Sequence, residues 1–199
     1  MGEGLFDLEK HFAFYGAYHS DPMNVVIHTI FVWPILYTAL LLLQFTPTFF
    51  TFQFALAADH NVTIAFNFTF VFALIYAVFY VLMDPKAGSL AAILCFLCWI
   101  ATHSLASRLA FSLAWKVVLA AQVFCWTGQF LGHGLFEKRA PALLDNLVQA
   151  FLMAPLFVLM EILQKLVGYE PYPGFHARVS KEIEADRKAW QEKKEKKHT

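Results

Sequence analysis

Long apolar runs separated by short polar segments dominate the chain from residue 25 to residue 160. They cover residues 25–45, 62–83, 88–106 and 110–131. A helix rises about 1.5 Å per residue, so each run approaches the length that crosses a hydrocarbon core about 30 Å thick. The pattern predicts four membrane-spanning helices.

A fifth apolar run, residues 147–160, is shorter because Glu161 and Lys165 interrupt it. Runs of that length more often re-enter a membrane or lie in its interface than cross it. We therefore predict an all-α fold, a polytopic membrane helical bundle of about four spans with one re-entrant or interfacial helix. No internal repeat is visible, and we expect one integral-membrane domain with an N-terminal segment (1–24), a bundle (25–168) and a charged C-terminal tail (169–199).

The composition agrees with this class of protein. Hydrophobic residues make up 59% of the chain and 22 residues are Phe, more apolar surface than a soluble domain of this size can bury. The formal net charge is zero and the cationic residues concentrate in the tail, which argues against a nucleic-acid-binding face. Cys95, Cys98 and Cys125 lie in apolar runs, and we interpret them as core residues because a structural zinc site needs four ligands.

The positions of Lys and Arg predict the orientation. The connection between the first two spans, residues 44–61, contains neither, whereas Lys10, Lys86, Lys138, Arg139 and the tail fall together on the other side. Positive charge accumulates on the cytosolic side of membrane proteins. We expect a multi-pass protein with cytosolic termini.

The last four residues also carry a targeting pattern. Lys196-Lys197-His198-Thr199 matches a dilysine signal that returns membrane proteins to the endoplasmic reticulum. A solvated, charged helix would account for the same residues equally well. The pattern is consistent with the endoplasmic reticulum membrane as the location.

Four of the eight histidines lie where apolar helices begin or end. His19 precedes the first span, His28 lies one turn inside it, and His103 and His133 lie at the ends of the third and fourth spans. Imidazole at the edge of hydrocarbon is costly without a proton partner or a metal. The remaining histidines lie in polar segments, and we interpret them as surface residues: His11, His60, His176 and His198.

Polar residues accompany these histidines at helical spacing. Asn24 and His28 share one face of the first span, and Gln129, His133 and Glu137 repeat at four-residue intervals. Three or four neutral imidazoles suit Fe(II) or Zn(II). We therefore predict a non-haem metal site built from these histidines and oriented by carboxylate and amide side chains, namely Asn24, Gln129, Glu137 and Asp145.

His103 fits this site less simply than the others. Alternation of four spans places it at the end of the third helix that lies opposite His19 and His133. Either the third segment does not cross the membrane fully or His103 is not a ligand.

Several other chemistries lack their motifs. The chain contains no G-x-S-x-G nucleophile elbow and no glycine-rich phosphate loop. A histidine-box desaturase or hydroxylase is weakened because H-x-x-H-H is absent. Two alternatives remain: a b-type haem electron carrier, which needs histidine pairs facing one another, and a membrane scaffold without chemistry.

Both histidine regions resemble a known family. The matching residues include Tyr18-His19, Pro22, Asn24-Val25, Ile27-His28, Gly132-His133-Gly134, Phe136-Glu137-Lys138-Arg139 and Asp145-Asn146-Leu147-Val148-Gln149. These runs closely resemble the fungal endoplasmic-reticulum 2-hydroxy-palmitic acid dioxygenase family. The resemblance extends from residue 1 to about residue 168.

This resemblance implies an enzyme that uses Fe(II) and O2 to shorten long-chain 2-hydroxy fatty acids by one carbon, a step in phytosphingosine degradation. It places the family's histidines at His19, His28, His103 and His133. Lys138 and Arg139 could attract the substrate carboxylate or act only as cytosolic anchors. Tyr15, Tyr18 and Asn146 are further candidates for polar contacts, without an assigned role.

Overall fold

The structure is a computed structural model that describes residues 4–57, 60–141, 143 and 146–196. Seven α-helices and one β-hairpin build this part of the chain: α1 (Leu8–Tyr18), α2 (Pro22–Leu43), β1 (Phe50–Ala57), β2 (His60–Phe66), α3 (Phe68–Met83), α4 (Pro85–Ala106), α5 (Phe111–Leu131), α6 (Ala154–Val167) and α7 (Phe175–Glu195). A π-helical turn, Gly132–Glu137, extends α5, and a second, Gln149–Met153, precedes α6. The predicted helical membrane bundle is confirmed.

Within the described ranges, four helical segments are long and apolar enough to cross a membrane: Pro22–Leu43, Pro85–Ala106, Phe111–Glu137 and Gln149–Val167. Four spans are also predicted from the sequence, but the set differs: the expected second span is missing from it, and Gln149–Val167, expected to re-enter or to lie in the interface, is included. Residues 62–66 belong to the antiparallel hairpin, and α3 begins only at Phe68, where the Asn67 side chain accepts a hydrogen bond from the Thr69 backbone N–H. With 16 residues, α3 is the short apolar helix of the bundle.

Two Asp-Pro pairs set where α2 and α4 begin. The carboxylate of Asp21 accepts a hydrogen bond from the Met23 backbone N–H at 2.8 Å, and that of Asp84 accepts one from Lys86 at 2.9 Å. In each case proline occupies the first helical position, where its missing N–H is not needed. Local sequence therefore fixes the first turn of both spans.

The segment that contains α6 has both of its ends at the same end of the bundle. The Gln149 side chain donates to the backbone carbonyl of His11 in α1 at 2.6 Å. Just after α6, the hydroxyl of Tyr169 donates to Asp84, at the junction of α3 and α4, at 2.5 Å. The segment is longer than the apolar run predicted and is itself long enough to cross a membrane, so its re-entrant or interfacial course stays a prediction.

Aromatic packing joins α1, α6 and α7 over this end of the bundle. The Phe12 ring in α1 lies 5.3 Å from Phe157 in α6 and 5.5 Å from Phe175 in α7. Gly16 in α1 leaves room for Ile183, since a Cβ on Gly16 would lie 2.4 Å from that side chain. The charged tail of the sequence thus includes a helix that packs on α1.

A close helix crossing fixes α4 against α3. A Cβ on Gly88 would lie 1.9 Å from the backbone oxygen of Tyr80, so only glycine permits this approach. The crossing lies at the same end of the bundle as α1 and helps to set the frame on which α2 and α5 bring the predicted site residues together.

Candidate metal centre

Three of the four predicted ligands meet at one end of the bundle. His19 lies between α1 and α2, His28 in the second turn of α2, and His133 in the π-helical turn that extends α5. Their ligand nitrogens lie within 4.8 Å of one another, and the ring centroids are 4.2, 4.8 and 4.9 Å apart. We call these three residues the histidine cluster.

The helix backbone selects the tautomer of two members of the cluster. The Nδ1–H of His19 donates to the Tyr15 carbonyl oxygen at 2.7 Å, and the Nδ1–H of His28 donates to that of Asn24 at 2.9 Å. With the proton on Nδ1, the Nε2 lone pair of each ring is available to a metal ion.

The third member has a buried nitrogen without a protein partner. His133 is 4% exposed, and its Nδ1 makes no hydrogen bond within the described residues. A buried polar atom of this kind costs free energy unless something outside the protein satisfies it. Three imidazoles that present lone pairs at short mutual distance fit a transition-metal ion.

Electrostatics favour the metal-binding form of His19, which lies outside the membrane-spanning helices. Burial, with smaller effects from His28 and His133, lowers the pKa of His19 well below its usual value. The ring is therefore neutral at physiological pH. Neutral imidazole is the form that coordinates a metal.

Glu137 and Asn24 join the two segments that carry His133 and His28. One carboxylate oxygen of Glu137 accepts hydrogen bonds from the backbone N–H groups of Ser20 and Asp21 at 3.0 and 2.9 Å, and from the Asn24 side chain at 3.2 Å. Asn24 is fully buried. The side chains of these two residues thus position the backbone segments that carry the histidines. They do not bond to the imidazole rings.

The other two predicted orienting residues differ in what the structure shows. Gln129 is buried and lines the cavity beside the histidine cluster. Asp145 lies outside the described residues, so its role stays a prediction.

Arg139 is engaged by the C-terminal helix. Its guanidinium donates to Asp186 in α7 at 2.7 Å and to the Ala17 carbonyl oxygen at 3.0 Å, and it lies over the Tyr18 ring at 3.6 Å. Arg139 therefore belongs to the contact between α7 and α1, and its contact with a substrate carboxylate stays a prediction. Lys138 is exposed and ends the π-helical turn with a left-handed φ of 54°.

His103 does not join the cluster, and the four-histidine site is corrected to three. Helix α4 begins at Pro85 near α1 and runs to the hairpin end of the bundle, where the His103 Nε2–H donates to the Thr63 carbonyl oxygen at 3.0 Å. A rigid helix of this length keeps its two ends on opposite sides of the bundle. Simple alternation of the spans correctly predicts this position.

The histidine cluster borders a small, largely apolar cavity of about 70 Å³, which we call the histidine cavity. Its apolar lining comes from Phe14, Trp126, Phe130, Pro141, Leu143, Ala150 and Ala154, and its other polar lining from Tyr15, Tyr18, Gln129, Asn146 and Gln149. This lining suits an aliphatic chain with a polar group at the histidines.

Comparison with known proteins identifies the family. The profile described as 2-hydroxy-palmitic acid dioxygenase Mpo1-like matches residues 5–166. The chain belongs to the Mpo1-like family. It is 37% identical over 188 residues to the 2-hydroxy-palmitic acid dioxygenase MPO1 of Saccharomyces cerevisiae, an alignment that covers 94% of this chain and 92% of that relative. No solved structure matches the chain.

The geometry of this Mpo1-like protein disfavours the alternative of a b-type haem carrier. Axial haem ligands face one another across the plane of the macrocycle. The three imidazole rings here form one edge-to-face group, with centroids 4.2, 4.8 and 4.9 Å apart, and not the facing pair that a haem needs. A scaffold without chemistry offers no reason for the cluster.

Sequence reasoning missed Gln149 and Trp126, both of which line the histidine cavity. Gln149 is buried, and its position in an apolar run is the signal that could have found it. Trp126 lies two turns before His133 on α5, so helical periodicity places both on one face.

Proposed function

We propose that this Mpo1-like protein is an Fe(II)-dependent dioxygenase that shortens long-chain 2-hydroxy fatty acids, such as 2-hydroxypalmitic acid, by one carbon. The observation that carries the proposal is the histidine cluster at one end of an apolar cavity, in a chain of this family. The name of the yeast relative supplies the substrate class and the reaction type. Phytosphingosine degradation would produce acids of this class.

The donor set and the reaction together favour iron. Neutral imidazoles bind both Fe(II) and Zn(II), but zinc has no redox chemistry and the proposed reaction is an oxidation. Within the described residues, no thiolate belongs to the cluster, so softer metals are disfavoured. When bound, iron would orient the substrate through its hydroxyl and carboxylate oxygens and allow O2 to react.

The proposed reaction balances without a second organic substrate. 2-Hydroxypalmitic acid and O2 give pentadecanoic acid, carbon dioxide and water, as the bond between the carboxyl carbon and the hydroxyl-bearing carbon breaks. The electrons that reduce O2 come from the substrate, and no 2-oxoglutarate is needed. An acid without the 2-hydroxyl group lacks both this electron source and the second donor atom.

The protein contributes position and a water-poor site. Tyr15 stacks on the His19 ring at 4.1 Å and 16°, while its hydroxyl donates to Glu161 in α6 at 3.3 Å. This contact holds the ring plane of His19 while the Tyr15 carbonyl oxygen accepts a hydrogen bond from the Nδ1–H of His19. Apolar side chains around the cavity would exclude water from the polar end of the substrate.

The proposed location is the endoplasmic reticulum membrane with both termini in the cytosol. The cluster end of the bundle carries Lys10, Lys86, Lys138, Arg139 and the charged helix α7, while the hairpin half carries Arg108 and Lys116. This bias supports a cytosolic cluster. Protection from protease of a tag placed after Thr199 in sealed microsomes would contradict this orientation.

The dilysine pattern is tested separately, because Lys197, His198 and Thr199 lie outside the described residues. Replacing Lys196 and Lys197 by serine should release part of the protein to later compartments. An unchanged location would show that the pattern is not used.

Product analysis tests the reaction itself. Purified protein supplied with Fe(II) and O2 should convert 2-hydroxypalmitic acid to pentadecanoic acid, detected by mass spectrometry, and should leave palmitic acid unchanged. Iron chelation should stop turnover, and added Fe(II) should restore it. His133→Ala is the loss-of-site variant and His103→Ala is its matched control, since His103 lies at the other end of the bundle. Equal product from wild type and His133→Ala, or none from wild type, would defeat the proposal.

A further inference from the structure

A second cavity adjoins the histidine cavity and extends toward the middle of the bundle. The two cavities share Trp126, Gln129 and Ala150 in their linings. The second has a volume of about 130 Å³ and lies between α2 and α5, with Tyr76 of α3 and Phe151 on its other sides. We call it the tail cavity.

The residues that line the tail cavity follow the histidine cluster along α2 and α5. On α2, Val32, Leu36 and Ala39 follow His28 turn by turn, and all three line the cavity. Ala39 is about three turns, or about 16 Å, beyond His28. Half of a hydrocarbon core is about 15 Å, which is the reach of the acyl chains of one leaflet. A long-chain acyl group that starts at the histidines therefore ends near Ala39.

Polar atoms at the far end bond to one another and leave an apolar wall. The Gln122 side-chain amide donates to the Ile35 carbonyl oxygen at 2.9 Å and to the Thr38 hydroxyl at 2.8 Å. Its oxygen accepts from the Trp126 indole at 3.0 Å. These bonds satisfy the partly buried polar groups and hold Gln122 and Trp126 in place.

We propose that the tail cavity binds the methyl-terminal part of the acyl chain and selects substrates by chain length. The inference rests on the proposed function and adds the part of the protein that discriminates between substrates of different acyl-chain length. Trp126 and Ala150 mark the boundary between the polar and the aliphatic halves of the substrate, and Ala39 marks the far end.

The selection works by exclusion. A fatty acid arrives from a bilayer whose interior is as apolar as the cavity, so burial of its tail adds little affinity. A chain that is too long for the space must bend or displace packed side chains, which is unfavourable. Added bulk in the tail cavity should therefore penalise long chains and spare short ones.

A third apolar space offers the matched control. This outer groove lies between α2, α4 and α6, where Trp33, Cys98, Ala101 and Ile162 contribute to its lining. None of its lining residues also lines the histidine cavity. An acyl chain whose carboxyl end lies at the histidine cluster has no direct path into it.

Chain-length profiles test the proposal. The ratio of kcat/KM for 2-hydroxypalmitic acid to that for 2-hydroxylauric acid should fall roughly tenfold or more in Ala39→Phe. Ala150→Leu, nearer the histidines, should shorten the preferred chain further. Ala101→Phe adds the same bulk as Ala39→Phe to an alanine of the outer groove that is exposed, as Ala39 is, and should keep the wild-type ratio. An unchanged ratio in Ala39→Phe, or a lowered one in Ala101→Phe, would overturn the proposal.

Photolabelling of the unaltered protein provides a test that depends on neither folding of a variant nor turnover. A 2-hydroxypalmitic acid analogue with a diazirine near its methyl end should label peptides that contain Ile35, Ala39 or Gln122. Labels on Leu94, Cys98 or Ile162 of the outer groove would overturn the assignment. If wild type converts no 2-hydroxy acid at all, the proposed function fails, and the labelled peptides still decide where the tail lies.

Discussion

The carboxylate of Glu137 accepts a hydrogen bond from the side chain of Asn24 at 3.2 Å, across 113 positions of the chain. The same oxygen caps the start of α2 through the backbone N–H groups of Ser20 and Asp21. Through these bonds, the end of the α5 segment, which carries His133, is tied to the helix that carries His28. The histidine cluster depends on this link.

Glu137→Ala should therefore lower the metal content and the thermal stability of the protein. The substitution removes the side-chain acceptor of the Ser20 and Asp21 N–H groups and one of the two acceptors of the Asn24 amide, and a buried unsatisfied donor costs about 1–3 kcal/mol. Glu137→Gln, which keeps an acceptor oxygen but loses the charge, should have a smaller effect. Elemental analysis and thermal unfolding in detergent measure both quantities. Glu184→Gln, on the exposed face of α7, is the control, and equal behaviour of Glu137→Ala and this control would contradict the prediction.

Two glycines of the π-helical turn allow a matched test of close packing at the site. A Cβ on Gly132 would lie 2.5 Å from the Asn24 side-chain oxygen, whereas a Cβ on Gly134 would meet nothing within 4 Å. Gly132→Ala should displace Asn24 or His133, with a cost of about 1–3 kcal/mol and a loss of activity. Gly134→Ala should retain both stability and turnover. Wild-type kinetics in Gly132→Ala would show that the turn tolerates the displacement.

Metal content should separate the histidines into two classes. Purified wild-type protein should carry iron, and His19→Ala, His28→Ala or His133→Ala should each lose it while the protein stays inserted in the membrane. His103→Ala should keep its iron, because that residue bonds to Thr63 at the opposite end of the bundle. His60→Ala should change little. Elemental analysis of each membrane-extracted variant is the measurement, and full iron in His28→Ala and His133→Ala would rule out the cluster as the metal site.

Gly88→Ala should destabilise the bundle without touching the histidines. The new Cβ would clash with the Tyr80 backbone oxygen, and neither helix backbone can yield without loss of packing. We expect a lower yield of folded protein and a midpoint of thermal unfolding several degrees lower, while iron per folded molecule stays at the wild-type level. Thermal unfolding by circular dichroism and elemental analysis of the folded fraction check this. Loss of iron at unchanged stability would instead place α4 in the site.

Sequence patterns that repeat over one or two helical turns were enough to predict much of the secondary structure of this protein. Apolar runs predicted the spans because every backbone polar group in hydrocarbon must be bonded within its own helix. Four-residue spacing correctly placed Asn24 beside His28, since that periodicity is a property of a single helix. The Lys and Arg bias and the family likeness could also be recognised from the order of residues alone.

Tertiary structure alone decided which residues meet. His19, His28 and His133 converge because α1, the start of α2 and the end of the α5 segment pack together, while His103 is carried away by the length of α4. No local sequence pattern predicts the distances between these histidines, because each distance depends on how separate helices cross. The same holds for the partner of Arg139 in α7 and for the tail cavity. The β-hairpin was missed for a related reason, since an apolar segment rich in Phe, Val and Ile suits a strand as well as a membrane helix until pairing decides.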